Sequence, residues 1–193
     1  MIPCLYDCFK HWAENGSVYI LSDPHFCDND CKLMDKEWID PDEHVDMINK
    51  RVWKNDTLIL LGDLGAPEYV KKIKAKKVLI TGNHDIPHLY EGIVSELYRG
   101  PLMIAPQIIL SHEPIVGLHW AVNIHGHDHS GEFRYEDSAG CKHINVASNV
   151  CKWMPISLGE EIKKGLLSKI PDIHRVTIDR ATTHSIKKKK GIN

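Results

Sequence analysis

The sequence predicts a protein of mixed α/β class, and two observations carry that prediction. Its apolar runs are short and rich in Val, Ile and Leu, which is typical of buried strands. Helix-length amphipathic stretches separate these runs, as they do in chains that alternate strands and helices. The hydrophobic fraction of 42% and the charged fraction of 26% are those of a globular protein and exclude a disordered one.

The elements follow from the pattern of apolar residues along the chain. Eight runs rich in β-branched residues are candidate strands, at residues 17–21, 57–61, 77–81, 102–105, 107–110, 121–124, 143–147 and 175–179. Four stretches with one apolar face are candidate helices, at residues 42–54, 67–75, 87–97 and 158–168. The first helix has a clear start, because Pro41 ends the preceding segment and Asp42 and Glu43 place negative charge at the positive end of the helix dipole.

The length of 193 residues predicts a single domain, with a core at about residues 17–180 and a basic tail at about 181–193. The net charge of -2 creates no overall field that would attract nucleic acid or an anionic membrane. No stretch approaches the roughly 18 apolar residues of a membrane span. Charged residues such as Asp7 and Lys10 interrupt the first fifteen residues, where a signal peptide would be apolar. We therefore expect a cytoplasmic protein with no membrane partner.

The six cysteines are expected to be reduced thiols, because a chain with a full set of core residues does not need disulfides. Cys4, Cys8 and His11 have a spacing that could place them on one helix face, and Cys27 and Cys31 repeat the same spacing. Neither set matches the common spacing of zinc ligands. A structural zinc is therefore not expected.

Five short fragments concentrate oxygen and nitrogen donors, and four of them directly follow a predicted strand. They are residues 22–25, 62–63, 82–85, 111–113 and 126–129. Open α/β sheets bind ligands at the carboxyl ends of their strands, so donors that follow separate strands can converge there. A single fragment of this kind is common by chance, and a lone histidine is more often a surface residue than a ligand. The ordered set of five indicates one shared site.

The donor set predicts two metal ions. Its seven candidate ligands are Asp23, His25, Asp63, Asn83, His112, His127 and His129. They include no thiolate, which suits Mn, Fe or Zn in an open site better than a structural zinc held by cysteine. Seven ligands are too many for one tetrahedral ion. They fit two ions that share a bridging carboxylate and leave positions for water and substrate.

This ordered set resembles the signature of the calcineurin-like metallophosphoesterases. The resemblance rests on the five fragments, and it extends from about residue 17 to about residue 161. Residues 145–146 and 155–158 extend it because they resemble the closing strand and helix of small bacterial and phage members. The resemblance implies a metallophosphoesterase-type four-layer αββα sandwich, with two mixed β-sheets flanked by helices and the site at one edge.

The same resemblance implies a role for each residue of the set. The first metal would be held by Asp23, His25 and His129, the second by Asn83, His112 and His127, and Asp63 would bridge them. His84 would be the catalytic histidine beside the metals, and Asp85 its orienting neighbour. Two divalent ions, with manganese favoured, would activate a bridging hydroxide for attack on a phosphate ester. His84 would act as general acid or stabilise developing charge.

The expected partner is a small phosphodiester or nucleotide-type substrate, since the chain leaves little room for a substrate domain. After Gly62 and Asp63 the sequence continues without the acidic or arginine-containing element of protein-phosphatase-like relatives, so a phosphoprotein is not expected. A phosphomonoesterase is equally compatible with the ligand set, and a nuclease is a further alternative. A non-catalytic binding scaffold is the alternative from another class of protein.

Other polar features leave alternatives open. The loop at residues 26–40 could form a substrate rim with Lys32 and Trp38, or it could be a solvated connection. The lysines at residues 71–77 and 187–190 could bind nucleic acid if they lie on the side of the metals, but such runs are usually solvated. His125 could support the site or be a buried structural histidine. The remaining histidines match no fragment and receive no role; they are His44, His88, His119, His143, His174 and His184.

Overall fold

The computed structural model describes residues 2–119 and 121–170, in which ten strands form two five-stranded mixed sheets. The first sheet contains β1 (Val18–Leu21), β2 (Thr57–Leu60), β3 (Lys76–Ile80), β4 (Glu96–Tyr98) and β10 (Ile156–Ser157). Its order is β10-β1-β2-β3-β4. Strands β1 to β4 are parallel, and β10 pairs with β1 in the antiparallel sense.

The second sheet contains β5 (Leu102–Ala105), β6 (Ile108–Leu110), β7 (Val122–His125), β8 (Arg134–Glu136) and β9 (Lys142–Asn145). Its order is β5-β6-β7-β9-β8, with parallel β6, β7 and β9 between two antiparallel edge strands. An isolated bridge joins Ser22, just after β1, to Ala147, just after β9. The carboxyl ends of the parallel strands of both sheets therefore meet.

Helices connect the strands of the described chain. They are the α-helices α1 (Cys31–Met34), α2 (Pro41–Arg51), α3 (Pro67–Lys72) and α4 (Leu158–Lys163), with 3-10 helices at Asp7–Ala13 and Pro87–Tyr90. Asp40 caps α2, because its side chain accepts a hydrogen bond of 2.8 Å from the backbone N–H of Asp42. Pro41 occupies the first turn, where its missing N–H has no helical partner to lose.

The first sheet is buried on both faces, and strand β2 shows how. Ile59 points into a hydrophobic cluster that also contains Ile124 and Ile144 of the second sheet, so the two sheets share this core. Leu58 and Leu60 point the other way, into a cluster that α2 and α3 complete. Burial on both faces explains why the strand is an uninterrupted apolar run in the sequence.

The structure confirms the predicted α/β class and most of the predicted strands. Seven of the eight lie within one or two residues of the predicted bounds at each end. The eighth, at residues 175–179, lies outside the described residues, as do the basic tail at 187–190 and His174 and His184. Three predicted helices are present but shorter than expected, ending at Arg51, Lys72 and Lys163.

The predicted helix at residues 87–97 is wrong. A 3-10 helix, Pro87–Tyr90, fills its start, and its last two residues belong to β4, which pairs with β3. Gly92 lies between them with a φ of 76°, a value that no α-helix contains. Tyr90 is held elsewhere, because its hydroxyl donates to the carbonyl of Gly65 at 2.7 Å. Tertiary contacts thus override a helical pattern. Strands β4, β8 and β10 are not among the eight candidate strands.

The structure also bears on the cysteines and on the length of the helices. All six cysteines are free thiols. None of the helices in the described ranges is long and apolar enough to cross a membrane.

Candidate metal centre

The predicted ligands all follow parallel strands, at the edge where the two sheets meet. Asp23 and His25 follow β1, Asp63 follows β2, Asn83 follows β3, His112 follows β6, and His127 and His129 follow β7. Four of them, Asp23, His25, Asp63 and His127, have φ angles of 54°, 41°, 51° and 67°. Such left-handed backbone is uncommon for non-glycine residues and persists where the surrounding structure enforces it.

Two glycines allow the loops to come this close. A Cβ atom at Gly82 would collide with Oδ1 of Asp63, and a Cβ atom at Gly126 would collide with Oδ2 of Asp23. Any larger residue at either position would push a predicted ligand away. The glycines of the fragments at residues 82–85 and 126–129 are therefore part of the site's construction.

One group of donors consists of Asp23, His25 and His129. Oδ1 of Asp23 lies 3.7 Å from Nε2 of His129 and 3.9 Å from Nε2 of His25. A metal ion about 2.1 Å from each ligand holds ligand atoms roughly 3.0–3.4 Å apart, so small side-chain movements would complete a coordination shell. Oδ1 of Asp23 and Nε2 of His25 are buried and have no hydrogen-bond partner among the described residues. Such orphaned atoms are costly unless an ion or water satisfies them.

The second group consists of Asp63, Asn83, His112 and His127. Nε2 of His112 lies 2.8 Å from Oδ1 of Asn83, 3.1 Å from Nδ1 of His127 and 3.3 Å from Oδ2 of Asp63. The same Oδ2 atom of Asp63 lies 3.9 Å from Nε2 of His25 in the first group. Asp63 therefore stands between the two groups, where a bridging carboxylate would be.

Neighbouring groups orient two of the imidazoles. Nδ1 of His112 lies 2.8 Å from the carbonyl of Leu61, to which it can donate, and this leaves Nε2 directed at the centre. Nδ1 of His129 lies 3.1 Å from Oδ1 of Asn149, whose Nδ2 donates to the carbonyl of His129 at 2.8 Å. Such contacts behind a ligand fix its tautomer and its ring orientation. Asn149 belongs to no sequence motif and was missed for that reason.

Burial and neighbouring charges shift the pKa values of three predicted ligands, Asp23, His25 and His112. Burial raises the pKa of Asp23 and lowers that of His25, so the enclosed site disfavours both charged forms. Burial would also lower the pKa of His112, but a hydrogen bond to Asp63 and the charges of Asp23 and Asp63 raise it to about 9. A proton on His112 thus balances the carboxylates, and a divalent ion could replace it.

The two residues predicted to be catalytic have different surroundings. His84 is exposed, its ring centroid lies 5.8 Å from that of His25, and its backbone N–H donates to Oδ1 of Asp63 at 2.9 Å. The carboxylate of Asp85 accepts hydrogen bonds of 2.9 Å from the backbone N–H groups of Asp63, Leu64 and Gly82. The carboxylate thus holds together the loops after β2 and β3, and its expected role in orienting the His84 ring stays a prediction.

The loop at residues 26–40 packs against the candidate metal centre through Trp38. The ring of Trp38 lies 5.9 Å from that of His25, 5.5 Å from that of His129 and 4.9 Å from that of Trp153. Trp38 is only 9% exposed, so its ring packs against the imidazoles and presents little surface to solvent. Lys32 is exposed and lines, with Trp38, a cavity of about 400 Å³ beside His25.

Three of the five lysines at residues 71–77 contact other groups of the chain. Lys72 pairs with Asp42 of α2, and Lys76 pairs with Glu96 of β4 at 3.1 Å. The amine of Lys77 donates to the carbonyls of Ile73 and Ala75. These partners are all intramolecular, and the alternative in which this segment binds nucleic acid stays a prediction.

Comparison with known proteins adds support for the fold. The chain is similar to a solved structure from Aquifex aeolicus, the protein of unknown function AQ665, with a TM-score of 0.60 and 22% sequence identity. The similarity covers 77% of this chain and 98% of that one. At this identity the likeness shows the fold alone. No protein-family profile and no curated protein matches the chain.

Proposed function

We propose that this protein is a dinuclear metal-dependent phosphoesterase of the calcineurin-like type. The proposal includes the finer fold assignment, a four-layer sandwich in which the two sheets are the inner layers. The core that the sheets share and the cluster between the first sheet and α2 and α3 support three of these layers. On the outer face of the second sheet, Ile115 and Leu118 pack against Ile109, where a fourth layer would lie.

One observation carries the proposal. Asp63 lies between two groups of donors, of which Asn83 and His127 are exposed and the others buried or partly buried. Within the described residues, Oδ1 of Asp23 and Nε2 of His25 have no hydrogen-bond partner. The ion-pair contacts of Asp23 with His25 and His129, at 3.9 and 3.7 Å, are too long for hydrogen bonds, and burying these donors without one is costly. Oxygen and nitrogen donors without thiolate suit Mn, Fe or Zn in an open site. The residues present therefore fit a pair of divalent cations.

The chemistry divides between the ions and the chain. Two such ions, when bound, supply Lewis-acid activation of a water nucleophile and of the phosphoryl oxygens. Asp63 keeps the two groups of ligands at a fixed separation, and Asp85 holds the backbone of Asp63 in place. His84, which is exposed beside His25, protonates the leaving oxygen or donates a hydrogen bond to a phosphoryl oxygen.

A cavity beside the second group supports a small substrate. It has a volume of about 540 Å³, and Asn83 and His112 contribute to its lining together with Arg99. This volume suits a ligand the size of a nucleotide. No ion pair of Arg99 with another described residue is present, which leaves its guanidinium free for an anionic group. We infer a small phosphodiester or nucleotide-type ester as the substrate.

The test is a substrate screen with the Mn²⁺-loaded protein. The panel contains an aryl phosphodiester, an aryl phosphomonoester, cyclic nucleotides and single-stranded oligonucleotides, and Asp63→Asn serves as the matched inactive control. We expect turnover of the diester or the cyclic nucleotides that the control lacks. A large preference for the monoester would contradict the diester assignment, and preference for oligonucleotides with strong salt dependence would indicate a nuclease. No turnover of any substrate would support a binding scaffold.

A further inference from the structure

A second group of possible metal ligands lies in the β8–β9 hairpin. Asp137, Cys141 and His143 each offer one ligand atom, and the three atoms lie within 4.8 Å of one another. Cys141 directly precedes β9 and His143 is the second residue of that strand, so their side chains lie on the same side of the extended backbone. Asp137 lies in the turn between the two strands. None of the three belongs to the fragments that form the candidate centre.

The burial of the His143 ring without a hydrogen bond is the observation that points to a bound ion. His143 is 1% exposed, and neither of its ring nitrogens has a hydrogen-bond partner in the part of the chain that the structure describes. Its ring stacks on Tyr135 with the centroids 4.4 Å apart and the planes 4° from parallel, which fixes the imidazole in place. Nε2 lies 3.5 Å from Oδ2 of Asp137, outside hydrogen-bond geometry. A buried imidazole without partners is destabilising unless an ion or a water satisfies it.

The carboxylate of Asp137 is held in position by the turn. Oδ1 accepts hydrogen bonds of 2.9 Å from the backbone N–H groups of Ala139 and Cys141, and Oδ2 accepts one of 2.9 Å from Gly117. Backbone N–H donors of this kind favour the ionised form of a carboxylate. Oδ2 is therefore a fixed anionic donor that faces His143.

We propose that Asp137, Cys141 and His143 form a zinc site that stabilises the β8–β9 hairpin. A thiolate, an imidazole and a carboxylate together are the donors that zinc prefers, and three protein ligands leave one tetrahedral position for water. The thiol of Cys141 gives up its proton to solvent when the ion binds. Asp137 is only partly buried, which gives an ion a route from the surface.

This site is separate from the candidate centre and does not depend on the proposed function. His143 pairs with Asn123 of β7, four residues before His127, which corresponds to about 13 Å along an extended strand. The candidate centre contains no sulfur ligand, so a signal from sulfur coordination reports on the hairpin. Cys31 is the cysteine that could give a competing signal, because it lies near His25 and Asp28.

The test loads the full-length protein with Co²⁺ and records the near-ultraviolet thiolate-to-cobalt charge-transfer band. We expect the band in the wild type and in the control Cys31→Ala, and an excess of Zn²⁺ should displace it. Cys141→Ala should abolish the band and remove one zinc per chain. Alanine suits this position because Cys141 packs in an apolar cluster with Ile109 and Ala121. Circular dichroism verifies that the variant is folded.

Three outcomes would overturn the zinc site. They are the absence of a charge-transfer band in the wild type, a band that survives in folded Cys141→Ala, and a band that disappears only in Cys31→Ala. If Cys141→Ala does not fold, His143→Gln decides the matter, because it keeps the thiol and should still lose the zinc. A zinc content of His143→Gln equal to that of the wild type would contradict the site.

Discussion

Nδ1 of His129 lies 3.1 Å from Oδ1 of Asn149, although twenty residues separate them in the chain. The amide of Asn149 also donates to the carbonyl of His129, so the two residues are joined twice. The pairing directs Nε2 of His129 towards Oδ1 of Asp23, 3.7 Å away. If His129 is a metal ligand, Asn149 is the residue that orients it.

Asn149→Ala should therefore weaken metal binding without unfolding the protein. Loss of a residue that orients a ligand typically costs about 10- to 100-fold in metal affinity. Competition with a chelator measures that affinity, and Asn55→Ala, at an exposed turn position, is the matched control. Equal affinities for the two variants would show that the orientation of His129 does not matter for binding.

Asp85→Ala should reduce both stability and metal affinity. Its carboxylate accepts three backbone hydrogen bonds, and leaving such donors unpaired costs about 1–3 kcal/mol in the free energy of unfolding. Urea denaturation of the metal-free protein measures this loss, and chelator competition measures the affinity. A variant with unchanged stability and metal content but a lower turnover number would instead support the role first expected for Asp85, orientation of His84.

His84→Ala should retain both metals, because His84 lies outside the two groups of donors. If the histidine protonates the leaving oxygen, an aryl leaving group should lose much less rate than an alkyl one, since it needs less proton transfer in the transition state. Steady-state kinetics with the two esters measures the difference. Equal losses would assign His84 to stabilising charge on the phosphoryl oxygens, and loss of a metal would make it a ligand.

Glu96→Gln should lower stability at neutral pH but not in strong acid. Burial alone would raise the pKa of Glu96, but hydrogen bonds from His11, Trp12, Tyr98 and Lys76 lower it from 4.5 to about 2. A carboxylate whose pKa is lowered by folding stabilises the protein above its unfolded pKa, and that contribution disappears as the pH falls from about 4.5 through about 2. We expect a loss of roughly 1 kcal/mol at pH 7 for this partly exposed group.

Thermal unfolding between pH 7 and pH 2 tests the role of Glu96. The difference between the wild type and Glu96→Gln should shrink as the pH falls, whereas Glu91→Gln, at an exposed position, should match the wild type throughout. A difference that stays constant across this range would show that the charge of Glu96 is not what stabilises β4 against the 3-10 helix at Asp7–Ala13.

The sequence predicts strands better than it predicts the segments between them. Strands β1, β2 and β3 are recognisable because burial on both faces demands continuous apolar residues, as in Leu58 and Ile59. Strand β4 has only three residues, and Glu96 and Tyr98 hydrogen-bond to each other across its face. Nothing local distinguishes such a strand from a helical turn, and only pairing with β3 decides its structure.

In the candidate site, too, some features follow from the local sequence and others depend on the tertiary structure. The convergence of its donor residues could be predicted because each one follows an apolar strand in a short, ordered fragment. The contacts of Asn149 and Asp85 could not, since they join loops whose relative positions depend on the whole fold. His143 had no motif to mark it, and only its burial without hydrogen-bond partners makes it conspicuous.

The central claim is that two metal ions share Asp63, and low-temperature electron paramagnetic resonance of the Mn²⁺-loaded protein tests it most directly. Cys141→Ala is used as the background, so that the hairpin site does not contribute. We predict two Mn²⁺ ions per chain by elemental analysis and the spectrum of an exchange-coupled pair, which Asp63→Asn abolishes. A single ion per chain, or two ions with the spectrum of uncoupled Mn²⁺, would contradict the account.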